Sequence, residues 1–232
     1  MTDIAERLVG VRAEIDDARA RARRTDDVQL IAVSKTMPAA AVRAAFLAGQ
    51  TVFGENRVQE ALTKQEALGD SLPGIAWHMI GHLQTNKVKQ IPSNFALVES
   101  VDSLRLARRL DSQAAEAGVV LPVLFEVNVA GEESKSGFSP EELEASCEVL
   151  MGYANLDPRG LMTVAPQTNN PGDVRPIFGA LRDLRDRIRE RFDREGFSDL
   201  SMGMSGDFRE AIEEGATMVR LGRAIFGDRP PA

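Results

Sequence analysis

Cysteine is almost absent from this 232-residue chain: there is 1, Cys147, so no intrachain disulfide can form. Cys147 falls within an expected helix over Pro140–Met151 and reads as buried packing rather than as a nucleophile. Metal ligands are scarce too. The 2 histidines, His78 and His82, are four apart, but a strand-to-turn setting keeps them off a common helix face, and no Cys, Asp or Glu ligand spacing accompanies them. No metal site is expected. No apolar run approaches a membrane span, and the opening MTDIAERL lacks the basic and apolar regions of a signal peptide. The chain therefore reads as cytoplasmic, with no membrane partner. Positive charge is in deficit: 28 Lys and Arg against 35 Asp and Glu leave a net charge of -7, which argues against nucleic acid as a partner. No Pro/Gly/Ser-rich linker divides the chain, so residues 1–232 are expected to form one domain with a large core. The dinucleotide fingerprint GxGxxG is also missing: Ser34-Lys35-Thr36-Met37 follows Val33 instead.

What is present is a series of short apolar segments separated by helical patterns. Ile4, Leu8, Val11, Ile15, Ala18 and Ala22 recur at helical spacing and predict a long opening helix. Val28–Lys35, read VQLIAVSK, is a nearly continuous apolar run ending in a serine and a lysine, the pattern of a strand covered on both faces. Pro38 then occupies the first turn of a helix that ends near Gly49. Further strands are expected at Thr51–Phe53, Ile75–Ile80, Phe95–Val98, Val120–Val127, within Leu156–Met162, at Asp199–Met202 and at Thr217–Leu221. Pro158 argues for a late start of the sixth, near Arg159. Ser100 or Asp102 can cap the helix that runs to Gly118, and Ser139-Pro140-Glu141-Glu142 reads as a cap, a first-turn proline and acids at the positive helix end. A stripe of Ile177, Leu181, Leu184 and Ile188 predicts a helix to about Arg194. Eight strands alternating with helices fit an α/β architecture, the (β/α)8 TIM barrel. An open doubly wound sheet is the alternative, and the missing fingerprint counts against it.

In such a barrel the chemistry gathers at the carboxyl ends of the strands. Lys35 stands at that end of the first strand, where a lysine can form a Schiff base or simply mark the exit to solvent. Ser201-Met202-Gly203-Met204-Ser205-Gly206-Asp207 joins the seventh strand to a helix. Ser201, Gly203 and Ser205, with Gly222 after the eighth strand, make a candidate phosphate cradle, although a plain flexible turn explains the glycines equally well. Arg220, near the end of the last strand, can bind phosphate, pair with an internal acid or face an aromatic nitrogen. Asn56, in the turn Gly54–Arg57, can orient a ring substituent or serve the turn itself. Met162 and Met204 read either as packing around a ligand or as core. Gln84, Asn86 and Lys87 can bind an anion or cap a helix, and the sequence gives His78 and His82 no role.

Taken together, Val33-Ser34-Lys35, Phe53-Gly54-Glu55-Asn56, Trp77–Lys87 (WHMIGHLQTNK), Gly160-Leu161-Met162, Leu200–Ser205 (LSMGMS) and Val219-Arg220-Leu221-Gly222 resemble the YggS/PROSC family of pyridoxal phosphate (PLP) homeostasis proteins over nearly the whole chain. The resemblance implies PLP-dependent fold type III, like the alanine racemase N-terminal domain. It implies pyridoxal 5'-phosphate as cofactor, held by Lys35 as a Schiff base, with Arg220 facing the pyridine nitrogen and Asn56 near the ring. Ser201, Ser205 and Gly222, with adjacent backbone amides, would receive the phosphate, and Met162 and Met204 would shape the apolar surroundings. An arginine at the ring nitrogen disfavours its protonation, which suits reversible holding better than carbanion stabilisation. The resembling racemases have a separate carboxyl-terminal domain whose tyrosine serves one substrate face. No room for one is seen after Arg220, and the 1 tyrosine, Tyr153, falls near the end of a mid-chain helix. The expected function is intracellular PLP homeostasis without committed turnover, by a monomer, with PLP-requiring apoenzymes as candidate recipients. A PLP-dependent racemase or related amino-acid enzyme is the alternative.

Overall fold

The structure, a computed structural model, describes residues 3–132, 135–166, 168 and 170–227. Glu133 and Ser134 of the polar loop expected over Gly131–Phe138, and Gln167 and Asn169 of the loop expected over Val164–Asp173, lie outside the described residues.

The opening helix α1 (Ile4–Arg21) buries Leu8, Val11, Ile15 and Ala18, the stripe its spacing predicts. Strand and helix then alternate: β1 (Gln29–Val33), α2 (Ala39–Leu47), β2 (Val52–Glu55), α3 (Val58–Leu68), β3 (Ala76–Met79), β4 (Leu97–Val101), α4 (Leu104–Ala117), β5 (Leu121–Glu126), α5 (Pro140–Met151), β6 (Leu156–Met162), α6 (Arg175–Arg191), β7 (Asp199–Ser201), α7 (Phe208–Glu213), β8 (Met218–Leu221) and α8 (Arg223–Phe226). Each strand pairs in parallel with its neighbour in sequence, and β8 closes on β1 with Arg220 opposite Ile31. This is the closed (β/α)8 barrel rather than the open sheet.

Apolar side chains fill two spaces. The larger lies between the barrel and its helices and includes Cys147, fully buried, whose thiol burial pushes up to about 11. The smaller is the barrel interior: Ile31, Val52, Leu97, Leu124, Met162 and Met218. Side chains alternate along a strand, so Glu99 and Arg220, two residues beyond Leu97 and Met218, point inward as well. A polar layer therefore rests on the apolar plug, toward the carboxyl ends of the strands.

Several boundaries differ from the sequence reading, each for a local reason. β1 ends at Val33; Ser34 still donates to the Gly54 carbonyl at 3.1 Å, but Met37 N–H closes a turn onto the Ser34 carbonyl at 3.0 Å. β2 runs through Gly54 and Glu55 instead of stopping at Phe53. Gly54 is there for packing: a Cβ would stand 2.8 Å from Ile80 Cδ1 and 3.0 Å from Ile31 Cγ2. β4 occupies Leu97–Val101, so neither Ser100 nor Asp102 caps α4. The cap is Ser103, whose hydroxyl accepts from Leu106 N–H, while the Ser100 hydroxyl donates to the Gly81 carbonyl at 2.6 Å. β6 starts at Leu156 and keeps Pro158 inside the strand, because the pairing with β5 slips by one residue between Val123 and Leu124. Pro38 precedes α2 rather than occupying its first turn, and α6 ends at Arg191. The capping box expected at Ser139–Glu142 is present with both of its hydrogen bonds.

Candidate functional site

The carboxyl ends of the strands bring most of the singled-out residues to one mouth. Ser34 turns its side chain outward, toward α3, and its neighbour, the half-buried Lys35, stands in the turn that follows β1 at this mouth. Asn56 leaves β2 beside Gly81, where a Cβ would come within 2.6 Å of the Asn56 carbonyl oxygen; only glycine admits that approach. Gly203 opens the turn after β7 at φ +95, tight against α7. Met204 and Ser205 follow, half-buried, and the Asp207 carboxylate fastens the turn by accepting from Met204 N–H at 2.6 Å. Burial pushes the Asp207 carboxyl above its ordinary value, against the pull of that Met204 bond and of Arg220. Among the described residues, the amides of Ser205, Gly206 and Gly222 donate no hydrogen bond. Met162 lies lower, fully buried in the apolar interior.

Arg220 is 4% exposed and sits in a closed network. Nη1 donates to Ser201 Oγ at 2.6 Å and Nη2 to the Thr163 carbonyl at 2.7 Å. The Ser201 hydroxyl donates to Glu99 Oε2 at 2.5 Å, and Glu99 Oε1 lies 2.7 Å from His78 Nδ1. Burial alone would push the Glu99 carboxyl up; the hydrogen bond from His78, then His78 and Arg220 as charges, hold it below its ordinary value. Burial pulls Arg220 down, opposed by Glu99, Glu126 and Asp207, yet a guanidinium stays charged in proteins. Ser201 thus bridges Arg220 and Glu99 through its hydroxyl.

Three features of the mouth escaped the sequence reading. Glu99 had its signal, an acid inside the apolar run Leu97–Val101. Glu126, at the end of β5, has its carboxyl pushed up to about 7 by burial and by Asp102, against Arg220 and His82. His82 Nδ1 in turn lies 2.8 Å from Asp102 Oδ2 at the rim. The backbone carbonyl of Thr163 leaves no mark in a sequence. Among the described residues, no group of three or more His, Cys, Asp or Glu side chains could hold a metal ion, and no helix is long and apolar enough to cross a membrane.

A closed parallel barrel with a lysine after its first strand and an arginine near the end of its last defines a class, and residues 8–230 match the family model described as alanine racemase, N-terminal domain. An alanine racemase structure from Clostridium difficile shares the fold at 15% identity, with a TM-score of 0.72, covering 94% of this chain and 58% of its own. A pyridoxal phosphate homeostasis protein from Aquifex aeolicus is 45% identical over 225 residues, 97% of each chain. The structure of PipY from Synechococcus elongatus with PLP bound superposes with a TM-score of 0.87 at 39% identity, over 97% of this chain and 100% of that one. The chain belongs to the YggS/PROSC family of pyridoxal phosphate homeostasis proteins.

Proposed function

We propose that this chain is a PLP-binding homeostasis protein that holds the cofactor reversibly through Lys35. The observation that carries the reading is a half-buried lysine and a buried, hydrogen-bonded arginine at one barrel mouth, in a chain of which 97% matches PLP-bearing PipY. The donor set suits the cofactor: an amine for an aldehyde, amides of a glycine-bearing turn for a phosphate, and a fixed cation for a ring nitrogen. When bound, PLP supplies an aldehyde carbon to the amine and an electron-withdrawing ring.

Each residue then has a defined task. Lys35 supplies the nucleophilic amine. Arg220 spends one N–H on Ser201 and one on Thr163, and a guanidinium has five, so donors remain for the ring nitrogen. A permanent cation facing that nitrogen would disfavour its protonation and would leave the ring a weak electron sink. The phosphate is assigned to Gly203, Ser205 and Gly222 with their neighbouring amides; Ser201 contributes indirectly, by holding Arg220. Asn56 and Met204 would help to hold the ring, and Met162, buried in the apolar interior, would contribute to its apolar surroundings. Exchange with other amines would pass PLP to cytoplasmic apoenzymes that require it.

Borohydride reduction of the purified protein followed by peptide mapping tests the reading. A reduced adduct on Lys35 is expected, and Lys35→Ala should abolish it. Attachment at another lysine in the parent protein would defeat the assignment. Glu126 favours a second reading, a PLP-dependent amino-acid racemase, since a carboxyl poised at about 7 is suited to moving protons near neutrality. Turnover of one amino acid that depends on both Lys35 and Glu126, across a broad panel, would select it over homeostasis.

A further inference from the structure

Behind Lys35, on the outer face of the sheet, lies a second buried ionic cluster that the cofactor reading does not use. Lys64, on α3, is 5% exposed, and lysine is almost never buried unless paired. Its three N–H donors are all spent: Nζ lies 2.6 Å from the Ser34 carbonyl oxygen, 2.6 Å from Glu55 Oε1 and 2.7 Å from Glu60 Oε1. The Ser34 hydroxyl donates to the same Glu55 oxygen at 2.6 Å. Glu60 Oε1 also accepts from the Thr36 backbone N–H. Glu60 and Lys64 are four apart on α3 and so share one helix face, the face that meets this turn.

The peptide groups on either side of Lys35 are therefore both tied to α3, Ser34 through its carbonyl and Thr36 through its amide. Thr36 stands at φ +65, a left-handed conformation that β-branched residues rarely adopt. Such a backbone persists only where its surroundings over-determine it. The turn's own bonds, from the Thr36 hydroxyl to the Lys35 carbonyl at 2.6 Å and from Met37 N–H to the Ser34 carbonyl at 3.0 Å, are joined here by bonds from outside it, those of Lys64 and Glu60. A cluster that merely fastened α3 to the sheet would have no need to grip both flanks of one residue.

Building on the reading of Lys35 as the attachment point, we infer that Glu60 and Lys64 are positioning residues that clamp the Ser34–Met37 turn and fix the direction in which Lys35 enters the barrel mouth. Glu60→Ala removes the Thr36 tie, Glu60→Gln keeps an acceptor oxygen in place without the charge, and Lys64→Met removes the Ser34 tie. Two measurements are made on each. One is PLP affinity by absorbance titration. The other is competitive acetylation of Lys35 in PLP-free protein from about pH 6 to about pH 11, read by mass spectrometry, which follows the amine without the cofactor.

Glu60→Ala should weaken PLP binding at least about tenfold and shift the acetylation profile of Lys35, because small misplacements of a reacting group cost that much or more. Glu60→Gln should recover most of both, which a purely structural loss would not explain. If Lys64→Met does not fold, the Glu60 pair still decides. Folded Glu60→Ala protein that binds PLP and acetylates at Lys35 as the parent does, with only its melting temperature lowered, would overturn the inference. Absence of PLP on Lys35 in the parent protein would instead sink the attachment reading, and the acetylation profiles would still report on the clamp.

Discussion

Glu99 and Glu55 are both fully buried acids near the carboxyl ends of strands, one facing the barrel axis from β4, the other facing α3 from β2. Each belongs to an ionic cluster at the same end of the barrel, yet their carboxyls move in opposite directions. Glu99 is held below its ordinary value and Glu55 is pushed above it. Burial opposes ionisation in both cases. The difference lies in how completely each is partnered. Both oxygens of Glu99 are engaged, with His78 on one side and Ser201 on the other, and a guanidinium that no other carboxylate among the described residues contacts stands 3.9 Å away. Glu55 receives both of its hydrogen bonds, from Lys64 and Ser34, on Oε1; Oε2 has no hydrogen-bond partner. It also shares its ammonium with Glu60. In this pair the direction of the shift follows how fully each carboxylate is partnered against its burial.

The largest test of that contrast is at Glu99. Glu99→Ala leaves Arg220 buried without its counter-charge and should cost about 3–5 kcal/mol in urea denaturation near neutral pH, with Glu99→Gln costing about 2–3 kcal/mol. The sign with pH follows from the lowered carboxyl. Its stabilisation is present above the ordinary carboxylate value of 4.5 and is lost as pH falls, so the gap between parent and Glu99→Gln should narrow in acid. A Glu99→Gln protein as stable as its parent at neutral pH would show that the inner network contributes no net stability.

Glu126 gives the opposite sign at intermediate size. Its carboxyl moves from 4.5 to about 7, so its contribution is full below 4.5 and is lost as pH rises through about 7. Glu126→Gln should therefore stabilise the protein by on the order of 2 kcal/mol above about pH 8, after allowance for solvent at the mouth, and by almost nothing near pH 5. Melting temperatures at the two pH values check it. Equal effects at both would mean that Glu126 titrates as an ordinary exposed acid.

The contrast also marks what a sequence can disclose. The barrel was legible because each strand is a short apolar run followed by a helical stripe, and Lys35 and Arg220 could be placed by their strand-end positions alone. Polar residues inside strands were the difficulty. Glu99 and Ser100 read as the exit from β4, and Gly54-Glu55 as the exit from β2, because an acid or a glycine in a chain usually signals solvent or a turn. Their burial depends on His78, Ser201 and Arg220 in one case and on Lys64 in the other, partners from distant strands or from the next helix. The bonds of Ser201 are hidden for the same reason: a serine at the end of β7 gives no sign in the sequence that Glu99 and Arg220 hold it.

The smallest expected effect is at Glu55, and it sharpens the comparison most. In Glu55→Gln the amide carbonyl can replace Oε1 and keep both incoming bonds, from Lys64 at 2.6 Å and Ser34 at 2.6 Å. The new NH2 falls where Oε2 already lacks a partner, so an unpaired donor replaces an unpaired acceptor, at about 1 kcal/mol. Against this, a charge that burial disfavours has been removed, while Lys64 keeps Glu60 at 2.7 Å as its counter-charge. The two changes offset, and the net effect near neutral pH should be about 1 kcal/mol or less, against about 2–3 kcal/mol for the same substitution at Glu99. The raised carboxyl of Glu55 also means that its contribution is fullest below its ordinary value and fades as pH rises. Glu55→Gln should gain on its parent between about pH 5 and about pH 8, while the deficit of Glu99→Gln, already nearly complete above its ordinary value, stays almost constant. Urea denaturation of the two variants and the parent at both ends of that range measures the drift. Equal losses at neutral pH, with no gain of Glu55→Gln on its parent as pH rises, would show Glu55 to be as firmly ionised as Glu99, and the distinction between a complete and an incomplete cluster would fail.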